Sequence, residues 1–202
     1  MLKVGLTGGL ASGKSFVGHA LVELGCHLIE ADRLGHEVLL PGGEAYDGVV
    51  REFGTGILDP DGTINRKRLA GEVFGNPERL AVLNSLVHPP VFRREQALID
   101  EFERVDPRGI AVVEAAILIE TGSYKRFDRM ILVVCDEAVQ VERARHRDGV
   151  EREEALARIQ RQMPVAEKRK FADYVIDTSG SKEETLRQTH VVYDALRKIE
   201  QP

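Results

Sequence analysis

The sequence predicts an α/β fold in which a five-stranded parallel sheet is flanked by helices. Short β-branched runs alternate with segments of helical periodicity, and this alternation is typical of parallel strands joined by crossover helices. The predicted strands cover residues 4–7, 27–30, 110–114, 130–135 and 174–177. A glycine-rich segment follows the first strand, as expected where a parallel strand turns into a helix around a ligand.

Composition limits the class of protein. The chain has 202 residues, 43% of them hydrophobic, which suits one α/β domain with insertions. No segment approaches the roughly 18 apolar residues of a membrane helix, and the formal net charge of −5 argues against nonspecific nucleic-acid binding. We therefore expect a cytoplasmic protein with small-molecule ligands and no membrane or nucleic-acid partner. Cys26 and Cys135 lie in or beside apolar runs and are predicted to be buried free thiols.

The first strand leads into a phosphate-binding loop. Residues from Gly8 to Ser15 match the pattern G-x-x-x-x-G-K-[ST], and a helix is predicted over 15–24. Glycines let the backbone wrap closely around an anion, while successive N–H groups and the helix N-terminus attract negative charge. Lys14 would reach the β- and γ-phosphates of a nucleotide, and the Ser15 hydroxyl would bind Mg²⁺. The alternative is a glycine-rich turn that binds nothing, but the sequence pattern and its flanking elements favour the nucleotide site.

Two long excursions interrupt the predicted core. We predict a single domain over 1–202 with its core at 1–30, 110–136 and 173–202. A mostly helical insert covers about 31–109, and we expect it to bind the molecule that accepts the phosphoryl group from the nucleotide. The segment at about 137–172 is helical and rich in arginine. A kinase must exclude water during phosphoryl transfer, so this segment is predicted to be a lid whose arginines meet the phosphates. The alternative is a solvated helical face with salt bridges one turn apart.

Two aspartates, Asp59 and Asp136, lie where a GTPase or an ATPase motif would place an acid. Asp59 and Gly62 resemble a GTPase switch motif, but no buried strand precedes them and no guanine-reading motif occurs, so we interpret the segment as a turn. An ATPase would have four apolar residues followed by Asp at the end of a strand. The strand near 129–136 does end in Asp136, which we predict to cap the next helix.

Asp32 and His88 are candidates for acceptor chemistry. An acceptor hydroxyl needs a carboxylate nearby, and Asp32 follows the second strand, where the carboxyl ends of a parallel sheet face the ligand crevice. The alternative is that Asp32 caps a helix over 33–40. His88 precedes a proline, which favours extended backbone and the end of a helix at that point.

Several motifs in order resemble the dephospho-coenzyme A kinase family, and the similarity extends over essentially the whole chain. Residues 6–15 resemble L-T-G-G-I-G-S-G-K-S, 29–32 resemble I-D-A-D, 61–66 resemble D-G-x-[LI]-D-R, 118–120 match the end of P-L-L-x-E, and 172–177 resemble A-D-x-V-I-[DE]. His88-Pro89 matches the helical insert, and Arg143 and Arg147 match the lid arginines. Apart from the phosphate loop, no single motif is specific to this family, but the order and spacing of the motifs together are.

The resemblance implies a P-loop kinase fold and transfer of the γ-phosphoryl group of ATP, with Mg²⁺, to the ribose 3′-hydroxyl of dephospho-CoA. This is the last step of coenzyme A biosynthesis. Asp32, Lys14 and Arg147 would be catalytic, with Asp32 as general base. Arg66 and His88 would join Asp32 in binding the acceptor, and Ser15 would bind the metal. The implied ATP ligands are Gly8, Gly9, Ala11, Ser12, Gly13, Lys14, Ser15, Phe16 and Arg143.

Some positions depart from the family pattern. Ala11 replaces a glycine, which costs about 1 kcal/mol if the backbone there has positive φ. Phe16 replaces a common threonine, Glu30 and Asn65 each replace an aspartate, and Ala116 replaces a proline.

Two other hypotheses remain open at this point. One is another small-molecule P-loop kinase acting on a nucleoside monophosphate or sugar, and the other is a regulatory module that binds ATP without catalysis.

Overall fold

A parallel sheet of five strands forms the centre of the structure, a computed structural model that describes residues 1–200. The strands pair in the order β2-β3-β1-β4-β5, with every pair parallel. The prediction of five parallel strands is confirmed; β1 is longer than expected at both ends, and β4 is shifted by one residue. The strands are β1 (Leu2–Gly8), β2 (His27–Glu30), β3 (Ile110–Glu114), β4 (Arg129–Val134) and β5 (Tyr174–Asp177).

Helices join these strands. They are α1 (Lys14–Glu23), α2 (Ala31–Glu37), α3 (Tyr46–Phe53), α4 (Arg66–Val73), α5 (Pro77–Val105), α6 (Glu137–Asp148), α7 (Arg152–Gln160), α8 (Val165–Lys168) and α9 (Lys182–Glu200). Short 3₁₀ turns lie at Thr55–Ile57, Ser123–Arg126 and Arg169–Phe171. Across residues 1–200, none of the helices is both long enough and apolar enough to span a membrane.

The main hydrophobic core lies on one face of the sheet, because the strand residues that form it are every second residue of their strands. All five residues of β3 are buried, as expected for a central parallel strand with helices on both sides. Leu21 of α1 and Leu196 of α9 pack with strand residues such as Leu6 and Ile131 in one apolar cluster. Cys26 belongs to this cluster, where burial raises the pKa of its thiol to about 12. Cys135 is also a free thiol but is only half-buried, so the prediction that both cysteines are buried is wrong for this one.

The chain divides into two compact units. The first contains Met1–Glu30 together with the residues from Glu101 onward, and it holds the whole sheet. The second is Ala31–Asp100 and is built from helices, a short turn region and all but the last five residues of α5. Helix α5 belongs to both units, because its last residues up to Val105 belong to the first.

Helix α5 continues through His88, Pro89 and Pro90 for 29 residues, so the expected helix end at His88 is wrong. Proline disfavours helical backbone in the residue before it and removes a hydrogen-bond donor. Here tertiary packing outweighs that local preference, since Pro90 and Val91 on this stretch are buried. The His88 ring lies beside Phe92, with ring centroids 5.7 Å apart.

Neither the predicted cap at Asp136 nor the alternative cap at Asp32 agrees fully with the structure. Helix α2 begins at Ala31, so Asp32 lies in the first turn and stabilises the helix through the dipole rather than as an N-cap. Asp136 does occupy the N-cap position of α6, but its side chain accepts no capping hydrogen bond. The Asp136 N–H instead donates to Ser179 Oγ at 2.9 Å. Neither cap forms as expected, because a helix start depends on how the preceding strand ends.

The segment from Asp59 to Gly62 forms the predicted turn. The Gly62 N–H donates to the Asp59 carbonyl at 2.9 Å, and Gly62 has φ of +85°. Leu58 and Ile64 on either side form a single antiparallel bridge. This arrangement lacks the buried strand that a GTPase switch would follow, in agreement with the interpretation from sequence.

Candidate active site

The loop between β1 and α1 has the geometry of an anion-binding cradle. Strand β1 ends at Gly8, and Gly13 adopts the left-handed conformation with φ of +85° immediately before α1. The first turn of α1 contains no acidic residue of its own, and the N-terminus of a helix attracts negative charge. Lys14 Nζ donates to the Gly9 carbonyl at 3.3 Å and thus lies across the loop. These features together suit a polyphosphate.

The loop also holds strain. Ala11 has φ of +52° and is the one non-glycine residue with positive φ among residues 1–200. The Ser12 hydroxyl is buried and finds no hydrogen-bond partner in the same range. Each feature costs free energy, and such costs concentrate where backbone geometry serves a ligand.

Ser15 is paired with an acid that the sequence analysis missed. Its hydroxyl donates to Glu114 Oε1 at 2.8 Å, and Glu114 is a buried carboxylate at the end of β3. The pairing of β1 with β3, in register at Leu6 and Glu114, places this carboxylate beside the start of α1. Four apolar residues precede Glu114. The ATPase-like pattern of four apolar residues followed by an acid, which the sequence analysis examined at Asp136, therefore occurs in β3 with glutamate in place of aspartate.

A cavity of about 290 Å³ lies over the loop. Its lining residues are Ala11, Ser12, Gly13, Lys14, Ser15, Phe16, Arg143 and Arg147. The structure therefore brings the two predicted lid arginines together with the phosphate loop. Gly8 is the last residue of β1 and Gly9 follows it in the loop, but neither of these two predicted ATP ligands lines the cavity.

Arg147 forms a two-point ion pair with its neighbour Asp148. Arg147 Nε lies 2.7 Å from Asp148 Oδ1, and one terminal nitrogen lies 3.0 Å from Oδ2. These hydrogen bonds lower the pKa of Asp148 and raise that of Arg147. The Arg147 side chain is 60% exposed and that of Asp148 is 23% exposed, and ion pairs open to solvent contribute only about 0–1 kcal/mol. A phosphate presents the same two-oxygen geometry to a guanidinium, so it could replace this carboxylate at small cost.

Arg143 is held differently. One terminal nitrogen donates to Thr178 Oγ1 at 2.9 Å and lies 3.4 Å from Cys135 Sγ, and the other donates to the Thr178 carbonyl at 2.7 Å. The guanidinium is thus fixed against the end of β5 while it lines the cavity. A fixed cation loses little conformational entropy when a ligand arrives.

The loop also forms hydrogen bonds and apolar contacts with α6, with α7 and with Gln162, which follows α7. Gln140 Nε2 donates to the Leu10 carbonyl at 2.8 Å, and the Leu10 N–H donates to Gln162 Oε1 at 2.7 Å. Leu10 and Ala11 pack against a small apolar cluster of Val141, Ala144 and Ala155, which come from α6 and α7. Between these helices Gly149 is left-handed, with φ of +65°.

The acceptor candidates belong to the second unit. Asp32 lies in the first turn of α2, and Arg66 is the first residue of α4, whose N-cap Asn65 accepts a hydrogen bond from the Arg68 N–H at 3.0 Å. Both charges act on His36, which the sequence analysis did not single out. Partial burial lowers the pKa of His36, the charge of Arg66 lowers it further, and Asp32 opposes this effect.

His88 lies on α5 beside Phe92. Burial lowers the pKa of its imidazole, which favours the neutral ring near pH 7. A neutral imidazole can donate one hydrogen bond and accept another, so it can contact an acceptor without adding charge.

The phosphate loop, the parallel sheet and the arginine-bearing helices beside the loop define a P-loop kinase. The family model described as Dephospho-CoA kinase matches residues 2–184. The chain therefore belongs to the dephospho-CoA kinase family, which phosphorylates dephospho-CoA in coenzyme A biosynthesis.

Individual relatives agree with this assignment. The chain is 45% identical to the dephospho-CoA kinase of Geobacter metallireducens over 188 residues, covering 93% of each chain. It is 41% identical to the dephospho-CoA kinase of Aquifex aeolicus over 202 residues, covering 98% of this chain and 99% of the relative. Among solved structures, TT1252 from Thermus thermophilus is similar with a TM-score of 0.81 at 33% identity, covering 96% of each chain.

Ala11→Gly should stabilise the protein. The left-handed region costs alanine about 1–2 kcal/mol, whereas glycine loses about 0.5–1 kcal/mol of unfolded-chain entropy, so a net gain of about 0.5–1 kcal/mol is expected. For a chain of this length that gain raises Tm by about 1–4 °C in a thermal melt. Ala20→Gly within α1 is the matched control and should lower Tm. A lower Tm for Ala11→Gly would contradict the strain assigned to this loop.

Proposed function

We propose that this protein transfers the γ-phosphoryl group of ATP to the ribose 3′-hydroxyl of dephospho-CoA, giving coenzyme A and ADP. The observation that carries the proposal is the cavity in which Lys14, Arg143 and Arg147 surround the phosphate loop. The family match over residues 2–184 supplies the acceptor. Family membership argues against the two alternatives, a purely regulatory ATP-binding module and a kinase for other small molecules.

The loop and its arginines would stabilise the transferred phosphoryl group. Phosphoryl transfer passes through a loose transition state, so positioning and charge supply most of the catalysis. We assign the backbone N–H groups of the loop and Lys14 to the β- and γ-phosphates. Arg147 would exchange its carboxylate partner Asp148 for phosphate oxygens, and Arg143 would line the nucleotide from its fixed position.

The donor set beside the loop also fits Mg²⁺. The Ser15 hydroxyl and the Glu114 carboxylate are hard oxygen donors only 2.8 Å apart, and Mg²⁺ is bound in kinases by one or two such groups together with phosphate oxygens and water. When bound there, the ion would neutralise charge on the phosphates. Ser15 would contact it directly, and Glu114 would hold the Ser15 hydroxyl in orientation or take a place in the coordination shell.

The acceptor would be bound and deprotonated by the second unit. We assign Asp32 to align the 3′-hydroxyl and to accept its proton late in the transfer, because this residue lies two positions after the carboxyl end of β2. Arg66 supplies positive charge for the phosphate groups of the acceptor. His88, neutral near pH 7, would add a hydrogen bond.

An acceptor panel tests the proposal. The protein is mixed with MgATP and either dephospho-CoA, AMP or a simple sugar, and ADP release is followed together with the phosphorylated product. We expect rapid turnover with dephospho-CoA and a product phosphorylated at the 3′ position, with AMP and sugars far poorer. Equal or faster turnover of AMP, or ADP release without a phosphorylated acceptor, would reject the proposed function.

Asp32→Asn separates a catalytic role from a helix-stabilising one. Asparagine keeps the shape but cannot take the proton, so kcat with dephospho-CoA should fall by roughly 10²–10⁴-fold. The loss of one favourable charge in the first turn of α2 should change stability by no more than about 1 kcal/mol. Calorimetry should show unchanged binding of MgATP.

Asp47→Asn is the matched control for this variant. Asp47 also lies in the first turn of a helix, α3, within the same compact unit. It should lose the same dipole interaction while keeping wild-type kcat. If Asp32→Asn turns over dephospho-CoA as fast as Asp47→Asn, Asp32 serves the helix alone and the base lies elsewhere.

A further inference from the structure

Thr178 makes a direct link to the phosphate loop. It follows the last residue of β5, is only 3% exposed, and its hydroxyl donates to the Ser12 carbonyl at 2.7 Å. The Val134 carbonyl is a second, more distant acceptor at 3.3 Å, and it also receives the Thr178 N–H at 2.9 Å. The side chain is therefore anchored to β4 on one side and to the loop on the other.

The same hydroxyl receives a hydrogen bond from Arg143. One terminal nitrogen of Arg143 lies 2.9 Å from Thr178 Oγ1, and the other lies 2.7 Å from the Thr178 carbonyl. A guanidinium can only donate, and a hydroxyl has one proton to give. The direction of the chain is therefore fixed, from Arg143 to the Thr178 hydroxyl and from that hydroxyl to a backbone carbonyl, with Ser12 the nearer.

Fixing the Ser12 carbonyl also fixes the next amide. In a planar trans peptide the C=O and N–H groups point in opposite directions, so the Gly13 N–H must point away from Thr178. Gly13 is the left-handed residue before α1, and a Cβ on it would come within 3.2 Å of Thr178 Oγ1. Thr178 thus packs against the residue whose conformation sets the start of α1.

We infer that Thr178 is a positioning residue for the nucleoside triphosphate. Its hydroxyl joins Arg143 to the Ser12–Gly13 peptide. The guanidinium and the loop amides are therefore held in fixed positions relative to each other before the triphosphate binds. This inference rests on the proposed use of the loop for ATP but not on the identity of the acceptor. It is independent of Asp32, because all the contacts lie within the first compact unit.

Three substitutions at this position separate the hydroxyl from the bulk of the side chain. Thr178→Val keeps the shape and removes the hydrogen bonds, Thr178→Ser keeps the hydroxyl, and Thr178→Ala removes both. The dissociation constant for MgATP is measured by calorimetry without acceptor, followed by KM for ATP, KM for dephospho-CoA and kcat. We expect Thr178→Val and Thr178→Ala to weaken MgATP binding about tenfold, a change of about 1.4 kcal/mol. Thr178→Ser should stay within about threefold of wild type, and KM for dephospho-CoA should be unchanged.

A double-mutant cycle with Arg143→Met tests the relay itself. If Thr178 acts together with Arg143, Thr178→Val should weaken MgATP binding much less in the Arg143→Met protein than in wild type. Near-wild-type MgATP affinity in a folded Thr178→Val or Thr178→Ala protein would overturn the inference, as would full additivity in the cycle. Equal loss in Thr178→Ser and Thr178→Val would also overturn it, because the hydroxyl would then not be the determinant. Failure of the wild-type protein to phosphorylate dephospho-CoA would refute the proposed function alone, since MgATP binding is measured without that acceptor.

Discussion

The pairing of β1 with β3 on one side and β4 on the other is the constraint on which the site depends. Leu6 lies opposite Glu114, so the carboxylate at the end of β3 reaches the Ser15 hydroxyl at the start of α1. Pairing of β4 with β5 then carries Thr178 to the Ser12 carbonyl. Strands β1, β3 and β4 are almost entirely buried, and their backbone groups have no water to replace a lost partner, so a shift in register would be costly. The hydrogen bonds between these strands thereby position the anion-binding loop together with Glu114 and Thr178.

The loop itself is an unfavourable local structure held by its surroundings. Ala11 is left-handed and the Ser12 hydroxyl is buried without a hydrogen-bond partner in residues 1–200. Contacts from outside the loop offset these costs: Gln140 and Gln162 bind both backbone groups of Leu10, and Thr178 binds the Ser12 carbonyl. Because the loop is already held in its binding conformation, little of the ligand's binding energy is needed to order it. More of that energy can then stabilise the transition state.

Features set by local sequence were predictable, and features set by long-range packing were not. The phosphate loop is a contiguous motif, and the five strands follow from short β-branched runs between helical patterns. Glu114 was missed because its role appears only when β3 lies beside β1, and Thr178 because it meets Ser12 across 166 residues of chain. The predicted helix end at His88 was wrong for the same reason, since buried packing of α5 overrides the local preference before proline. The helix around Asp32 begins at Ala31, two residues earlier than a cap at Asp32 would require.

The central claim is that the loop between β1 and α1 is the catalytic phosphate site, and Lys14→Met tests it most directly. Methionine keeps much of the side-chain length and removes the charge that lies across the loop. The account predicts that kcat at saturating ATP and dephospho-CoA falls by at least about 100-fold. Tm should stay close to that of wild type, and Lys67→Met on the exposed surface of α4 should leave kcat unchanged. Near-wild-type turnover by a folded Lys14→Met protein would contradict the account.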